Sequence, residues 1–396
     1  MDRLPELDDA VQDLSETLDR RLVVIDHVMQ VVAYSIHETP ADRRRLFHIL
    51  THSGSWPRPH TAKSSHAVIT LPEIGTMLFL RLLDARRRIV GHVVLPWNDT
   101  DPEHGPDPAL EETAAHLGEL LAARQHDVAD RAARTYQLTA DLVTGSAGER
   151  DAAAEALITE RLLSTSESYC AVALGVDPRG ATPLDHERTA HAVSRTLRFV
   201  RETSTATVVG GVLEEQVGVL VFPRPVVAAR LTRILKDPAV TPVQAGIGPV
   251  VPLDEVHRSF EQARLAWRAT WLAPDDHETV STWEGMGLDG TLARLPLEHF
   301  RMADLPPSTR DLLAAVDSPD LLTTLETYLV AGGDAARTAR LLRIHRSTLY
   351  YRLDKLRSIL AGDLNDGVFR RDLHTGLRMA RLAGLVPRPG KSAPRS

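Results

Sequence analysis

The segment that most constrains this chain lies near its carboxyl end, at residues 332–353. Two glycines, Gly332 and Gly333, end one apolar helical pattern, and a short alanine-rich helical pattern follows them. A second helical pattern begins near Arg346, and leucines recur along it at helical spacing: Leu349, Leu353, Leu356 and Leu360. This arrangement predicts two short helices joined by a tight turn. The leucines would anchor the second helix and leave its other side exposed.

Positive charge is concentrated in the same segment. The chain of 396 residues carries 46 Lys and Arg against 53 Asp and Glu, and its formal net charge is −7. Between Asp334 and Arg357, however, seven Lys and Arg residues stand against two Asp residues. A basic island in an acidic protein is typical of contact with phosphates. We therefore predict a helix-turn-helix unit whose partner is double-stranded DNA. The alternative is a basic, solvated helical hairpin within a larger helical domain.

The expected DNA contacts come from the start of the second helix, because those residues reach base edges in the major groove. Nine residues are candidates: Arg337, His345, Arg346, Ser347, Thr348, Tyr350, Tyr351, Arg352 and Lys355. Arg346 can pair bidentately with guanine, whereas Arg337, Arg352 and Lys355 are better placed for phosphates. His345 can either cap the helix or touch a phosphate. Arg343 lies in the turn where many such units have glycine, which predicts a non-glycine residue at positive φ.

The remaining patterns predict an α+β multidomain protein. Residues 1–108 (the sensory domain) alternate helix and strand patterns that predict an antiparallel sheet with helices on one side, able to take a small-molecule effector. Residues 149–273 (the middle domain) follow the order βαββαβα. Residues 274–310, rich in Gly and Pro, predict a linker. Residues 311–385 form the all-helical DNA-binding domain (the reader domain), and residues 386–396 predict a disordered tail.

A long helix is expected between the first two domains, over residues 109–148. Its apolar residues keep an approximate three-four spacing and include four candidates for dimerisation: Leu110, Leu117, Leu121 and Val128. Such a narrow stripe predicts pairing with the same helix of a second subunit, and so a homodimer or higher homo-oligomer. A helix packed along its own domain is the alternative, because Arg124 and Gln125 interrupt the stripe.

Several short motifs of the reader domain carry a resemblance to a known family. They are residues 325–329 (LETYL), 338–342 (TARLL), 345–353 (HRSTLYYRL) and 373–378 (LHTGLR), together with Gly332 and Gly333. They closely resemble the carboxyl-terminal domain of PucR/CdaR-type transcriptional regulators. The resemblance implies a degenerate GGDEF-like middle domain and, by pattern alone, a GAF-like sensory domain. Ser347 and Tyr350 depart from the family's usual Asn and Arg, so the operator preference cannot be carried over.

Enzyme chemistry is the rival interpretation. A working cyclase needs a tight hairpin whose acidic residues hold a divalent metal against a triphosphate. The corresponding hairpin, residues 210–216, has two glycines and two glutamates but no uninterrupted Gly-Gly-Asp/Glu-Glu run. We therefore expect no enzyme activity, no catalytic residue and no cofactor. The alternative is a nucleotide-binding signalling protein, or an enzyme, with a basic helical appendage.

Histidine, cysteine and hydropathy patterns complete the expectations. His48 and His52 share a helical face, but two imidazoles leave the other metal ligands unassigned, so no metal site is predicted. The single cysteine, Cys170, excludes an intramolecular disulfide and fits a small core residue. No apolar stretch approaches the ~20 residues that a membrane span needs. We expect a cytoplasmic, dimeric, effector-responsive regulator that binds specific DNA sequences and has no membrane partner.

Overall fold

A computed structural model describes residues 5–36, 38–56, 58–59, 64–97, 108–214, 216–316 and 318–386. Two compact units are present, Met1–Arg134 and Thr135–Ser396. Residues 387–396, which form most of the predicted disordered tail, lie outside the described residues. Within the described part, no helix is both long enough and apolar enough to cross a membrane.

The first unit is built around an antiparallel sheet. Its elements are α1 (Pro5–Leu18), β1 (Val23–Asp26), β2 (Val31–Tyr34), α2 (Pro40–His52), β3 (His66–Leu71), β4 (Gly75–Leu83), β5 (Ile89–Pro96) and the first part of α3 (Pro108–Thr144). The strands lie in the order β2-β1-β5-β4-β3, and each neighbouring pair is antiparallel. The predicted antiparallel sheet is therefore confirmed.

Helices cover both faces of this sheet. On one face, Leu7 of α1 and Leu117 of α3 share a core with Leu80 of β4. On the other face, Ile49 of α2 packs in a second core with Phe79. The expectation of helices on one side only is wrong. Successive strand residues point to opposite faces, and here both sets are apolar, so each face needs its own cover.

The amino-terminal part of α3 is packed along its own unit. Leu110, Leu117 and Leu121 are buried against the sheet, with Leu117 at 0% exposure, whereas Val128 is 62% exposed. Three of the four residues predicted for subunit pairing are thus core residues of the first unit. This is the placement that the alternative interpretation expects, and pairing between subunits stays a prediction.

The polar residues of α3 bind the sheet as well. Arg124 donates a hydrogen bond of 3.0 Å to the Val32 carbonyl, and Gln125 donates one of 2.9 Å to the Val90 carbonyl. These are the residues that interrupt the apolar stripe. Their interruption therefore reflects docking onto strand carbonyls, which sequence spacing alone does not reveal.

The second unit contains a sheet whose strands and helices follow one another along the chain in the predicted order from β6 to α7. Its elements are α4 (Ala147–Thr159), β6 (Tyr169–Gly175), α5 (Pro183–Thr203), β7 (Val209–Val212), β8 (Gly218–Phe222), α6 (Ala228–Leu235), β9 (Gln244–Val251), α7 (Val256–Leu272) and β10 (Val280–Thr282). The strand order is β10-β9-β6-β8-β7. β10 runs parallel to β9, and the other neighbouring pairs are antiparallel. The order from β6 to α7 confirms the predicted βαββαβα pattern, whereas α4 was not predicted.

Residues 274–310, predicted as a linker, contain ordered structure. β10 adds a strand to the sheet, and α8 (Leu288–Leu292) follows it. Leu292 and Leu297 are buried in the same core as α7. β10 has three residues and α8 has five, which is too short for a helical or strand periodicity to be visible in the sequence. The prediction of a linker therefore depended on the Gly and Pro content alone. The domain boundaries themselves stay a prediction.

The reader domain is entirely helical. It contains α9 (Pro307–Ala315), α10 (Pro319–Val330), α11 (Ala335–Leu342), α12 (Arg346–Ile359) and α13 (Gly367–Leu382). Leu325 of α10, Leu349 of α12 and Leu377 of α13 share one core. Leu382, at the end of α13, instead belongs to the core between α7 and the sheet of the second unit, which is called the core beneath the sheet. α13 therefore joins the reader domain to the rest of the second unit.

Candidate DNA interface

The predicted helix-turn-helix begins with a capped helix. Gly332 and Gly333 have φ of 70° and 86°, a region that glycine enters without strain, and they end α10. Asp334 then caps α11, because its carboxylate accepts a hydrogen bond of 3.0 Å from the Arg337 N–H. That bond lowers the pKa of Asp334, because it stabilises the ionised carboxylate.

The turn contains the left-handed residue that the sequence predicts. Arg343 has φ 53° and ψ 41°, and its exposed side chain extends from the end of α11. The next residue, Ile344, donates a backbone hydrogen bond of 3.1 Å to the Ala339 carbonyl. This bond closes the turn and brings α12 back against α11. An arginine in this conformation is strained by roughly 1–2 kcal/mol relative to the right-handed region.

His345 caps α12. Its Nδ1 accepts a hydrogen bond of 3.3 Å from the Ser347 N–H and lies 2.8 Å from the Ser347 hydroxyl. An Nδ1 atom that accepts from a backbone N–H carries no proton, so a neutral ring holds its proton on Nε2. Capping is thus one of the two roles left open by the sequence. A phosphate contact by Nε2 stays a prediction.

α12 has one buried and one exposed side. Leu349, Leu353 and Leu356 lie in the core of the reader domain, as their spacing predicts. Eight of the nine predicted contact residues are exposed: Arg337, His345, Arg346, Ser347, Thr348, Tyr350, Tyr351 and Lys355. Tyr351 is 73% exposed, which is unusual for a large aromatic side chain without a partner surface. The first two turns of α12 therefore present polar, cationic and aromatic groups to solvent.

Arg352, the ninth predicted contact, has a different environment. Its Nη2 donates to the Asp320 carboxylate at 2.8 Å and its Nη1 to the Thr324 hydroxyl at 3.1 Å. The side chain is only 22% exposed. Both partners lie on α10, so this arginine holds α12 against α10 and its charge is offset. The sequence prediction of a phosphate contact from Arg352 took no account of a partner 32 residues away.

The negative charge of Asp354 on α12 is also compensated by a neighbouring arginine. Asp354 accepts a hydrogen bond of 2.8 Å from Arg357, one turn further along α12. Without a partner, the Asp354 carboxylate would repel a phosphate. Its pairing with Arg357 moderates that repulsion, although both side chains remain exposed and are screened by solvent.

An ionic cluster that the sequence analysis did not identify attaches the reader domain to residues 274–310 of the second unit. Arg378 of α13 donates from Nε to Asp289 at 2.8 Å and also pairs with Asp276. His277 lies 2.9 Å from the same Asp289 carboxylate, which is 8% exposed. Burial alone would raise the pKa of Asp289, but hydrogen bonds from Arg378 and His277 outweigh it and lower that pKa to about 2. In the sequence analysis, Arg378 is only the last residue of the LHTGLR motif, so its ionic partners were not predicted.

The hairpin considered for cyclase chemistry is used for packing. A side chain at Gly211 of β7 would meet the Tyr136 ring at 2.5 Å, so this glycine allows the tyrosine to lie against the strand. The turn closes with a hydrogen bond of 2.9 Å from the Leu213 N–H to the Val217 carbonyl. Glu215, at the hairpin tip, lies outside the described residues.

The histidine pair on α2 has neighbours of its own. The rings of His48 and His52 stack with their centroids 4.3 Å apart, and His48 Nδ1 lies 2.9 Å from the Glu73 carboxylate. His52 Nδ1 is 3.1 Å from the His48 carbonyl. Among the residues that the structure describes, no group of three His, Cys, Asp or Glu could hold a metal ion.

Comparison with known proteins identifies two of the domains. Residues 321–379 match the PucR C-terminal helix-turn-helix domain, and residues 144–269 match the GGDEF-like domain. The resemblance predicted from the sequence is confirmed, and the matches support a transcriptional regulator of the PucR type. Both matched ranges lie in the second unit, so the GAF-like assignment of residues 1–108 rests on the element pattern alone.

Individual relatives cover limited parts of the chain. The purine catabolism regulatory protein of Bacillus subtilis (strain 168) is 39% identical over 105 residues, which are 26% of this chain and 19% of that protein. This chain thus matches about a fifth of that relative's length. A solved structure, the regulator of polyketide synthase expression from Bifidobacterium adolescentis, covers 63% of this chain and 98% of its own, at 17% identity and a TM-score of 0.29.

Proposed function

We propose that this protein is a sequence-specific DNA-binding transcriptional regulator and that α12 reads the major groove. One observation carries the proposal: the leucine side of α12 is locked into the reader core while the side bearing Arg346, Ser347 and Tyr350 is exposed. An α-helix held in this way can enter a groove without unfolding its own domain. The PucR-type match of the same segment supports this role.

The exposed residues divide into two kinds of contact. Arg346 and Ser347, in the first turn of α12, would reach base edges, and Tyr350 offers a hydroxyl and a ring face. Arg337 and Lys355 would bind phosphates, which position the protein without specifying sequence. Arg352 is assigned to positioning α12 on α10, because its charge already has a partner.

A gel-shift assay with the region upstream of the protein's own coding sequence tests the reading helix. Arg346→Ala should weaken specific binding by roughly tenfold or more, since a bidentate arginine–guanine pair contributes about 1–3 kcal/mol. Arg310→Ala is the matched control, because Arg310 is an exposed arginine of the same domain on α9. Equal retardation by both variants and by the wild type would contradict the assignment of α12.

Dimerisation is part of the proposal. One small helix-turn-helix buries too little surface for high specificity, and two copies would read two half-sites. The most exposed of the predicted pairing residues is Val128. Val128→Asp should lower the mass measured by light scattering if the exposed part of α3 pairs between subunits. An unchanged oligomeric mass would exclude this helix as the interface.

Leu117→Asp is unsuitable for the same question. Leu117 is fully buried in the core of the first unit, so an aspartate there would place an unpaired charge in an apolar environment. Its effect on mass would report unfolding. Val128→Ala, which keeps the helix and removes only the branched side chain, is the better companion to Val128→Asp.

Response to an effector and a cytoplasmic location complete the proposal. Support for an effector site in the first unit comes from a cavity of about 690 Å³ beside α2, lined by residues that include Arg44, His48 and Ile74. This volume lies in the range of about 300–1,000 Å³ that is typical of small-molecule sites. The cytoplasmic location follows from the proposed partner, because a reading helix must meet chromosomal DNA.

A further inference from the structure

A groove in the middle domain has no part in the proposed DNA contact. It runs along the outer face of α7, where Arg264, Arg268 and Trp271 follow one another at helical spacing. Arg179, from the loop after β6, lines one side, and Arg294, after α8, lines the other. The volume is about 630 Å³, within the usual range of small-molecule sites of about 300–1,000 Å³.

Aromatic and cationic groups are stacked within this groove. The Arg179 guanidinium lies over the Trp271 ring, 4.7 Å from its centroid, and the Arg268 guanidinium is 5.8 Å from the same ring. The Trp267 ring meets Trp271 edge to face at 6.1 Å. A guanidinium plane on a tryptophan is a flat surface on which a further ring can stack.

Arginines are the most frequent charged residues in the lining of the groove. Four arginines line it, and the carboxylates among the lining residues are two, Glu261 and Glu298. Arg268 pairs with Glu298, and Arg179 pairs with Asp177. Arg294 is exposed at the rim. An anion would be attracted by the exposed Arg294 guanidinium at the rim.

Two residues that line the groove carry a buried N–H donor with no acceptor among the described residues. Trp271 is 6% exposed, and its Nε1 atom has no hydrogen-bond partner among the described residues. The Nε atom of Arg268 is in the same condition. By contrast, Trp267 Nε1 donates to the Gly175 carbonyl at 3.1 Å. An unsatisfied buried donor costs about 1–3 kcal/mol, so an acceptor supplied by a ligand would be favourable.

We propose that this groove binds a small planar oxyanion. Its ring would stack on the Arg179–Trp271 pair, and its carboxylate or phosphate oxygens would bind the exposed Arg294 guanidinium. After a shift of the side chains that cover them, Trp271 Nε1 and Arg268 Nε would donate to the same oxygens. Oxygen acceptors are required because the groups without partners are all donors. The site is separate from the cavity beside α2, and its occupancy does not depend on DNA binding.

Calorimetric titration of the full chain without DNA tests the proposal. Two charged probes are used, AMP for a phosphate and indole-3-carboxylate for a carboxylate, with adenosine and indole as their neutral counterparts. At least one charged probe should bind saturably with a dissociation constant of about 1 mM or tighter. Its neutral counterpart should bind at least about tenfold more weakly, because it lacks the charge-assisted hydrogen bonds.

Substitutions locate the binding. Trp271→Phe keeps a ring but removes the N–H, and Arg294→Ala removes an exposed cation without disturbing the core; each should weaken binding about tenfold. Arg233→Ala, an exposed arginine on α6, is the matched control and should bind as the wild type does. Absence of saturable binding by both charged probes would overturn the proposal. Binding that Arg294→Ala leaves unchanged would overturn it too, and neither result would affect the DNA-binding proposal.

Discussion

Arg346 and Arg352 lie on the same helix, six positions apart, and have different surroundings. Arg346 is exposed in the first turn of α12, whereas Arg352 is held by Asp320 and Thr324 of α10. An arginine without a carboxylate partner can give its full charge to a phosphate or base. One that already has a partner must break that pair first. Substitution of each arginine by alanine should therefore affect stability and DNA affinity differently.

Arg352→Ala should lower stability more than it lowers DNA affinity. The lost hydrogen bonds to Asp320 and Thr324 should reduce the free energy of unfolding by about 1 kcal/mol, a modest value because the Asp320 side chain is largely exposed. Chemical denaturation measures this change. The slope of binding affinity against salt concentration should stay as in the wild type, since no phosphate contact is lost. A slope reduced by about one would show that Arg352 does bind phosphate.

At the scale of elements, the helix-turn-helix depends on local signals that the chain supplies in order. Asp334 begins α11, Arg343 turns the chain at positive φ, and His345 begins α12. Each signal acts within a few residues, so the sequence predicts the two helices and the turn. The arginine in the turn is the feature that stability alone would not select, because glycine adopts this conformation without strain.

Arg343→Gly should raise stability and weaken DNA binding. Removal of the left-handed strain should increase the free energy of unfolding by up to about 1 kcal/mol, after the entropy cost of glycine is subtracted. The lost cation should reduce affinity across all DNA sequences, as the loss of a phosphate contact does. Thermal unfolding and gel shifts measure the two effects. If DNA affinity is unchanged, the arginine has no role at the interface.

α3 illustrates how an element can be predicted while its partner is not. The apolar spacing indicates a long helix, and the structure contains one from Pro108 to Thr144. The same spacing is equally compatible with packing against a partner subunit and with packing against the sheet of its own domain. Leu117 contacts the sheet core, and Gly118 lies so close to Leu83 that a side chain there would collide with its backbone. Only the tertiary contact distinguishes the two possibilities.

At the scale of the whole molecule, the reader domain and the middle domain share one structural unit. α13 contributes Leu377 to the reader core and Leu382 to the core beneath the sheet. The buried cluster of Arg378, Asp289 and His277 lies on the same helix and on the segment predicted to be a linker. α13 therefore holds the reader domain in a fixed orientation on the rest of the second unit.

Asp289→Asn should loosen this attachment. Removal of one charge from the cluster leaves the Arg378 guanidinium partly uncompensated, and breaking a buried pair in this way costs roughly 3–5 kcal/mol. Because Asp276 still pairs with Arg378, we expect a value at the low end of that range. Chemical denaturation of the variant against the wild type measures the loss. Retention of full stability would show that the cluster does not hold the two domains together.

The same residue predicts a pH dependence. The pKa of Asp289 is lowered from 3.8 to about 2 in the folded protein, so its contribution to stability is complete above the unfolded value. That contribution is lost as the pH falls from about 4 towards 2. Over this interval, stability should fall more steeply in the wild type than in Asp289→Asn. Parallel curves would contradict the assignment.

Taken by itself, the sequence determined the local features of this protein: the capped helices, the left-handed turn, the leucine side of α12 and the order of helices and strands along the chain from β6 to α7. These depend on periodicity and on residues a few positions apart. The tertiary structure decided which charged side chains are already paired within the protein. Arg352 is bound to a carboxylate 32 residues away and Arg378 to one 89 residues away. Pairing over such separations depends on how the helices pack, and no local spacing encodes it.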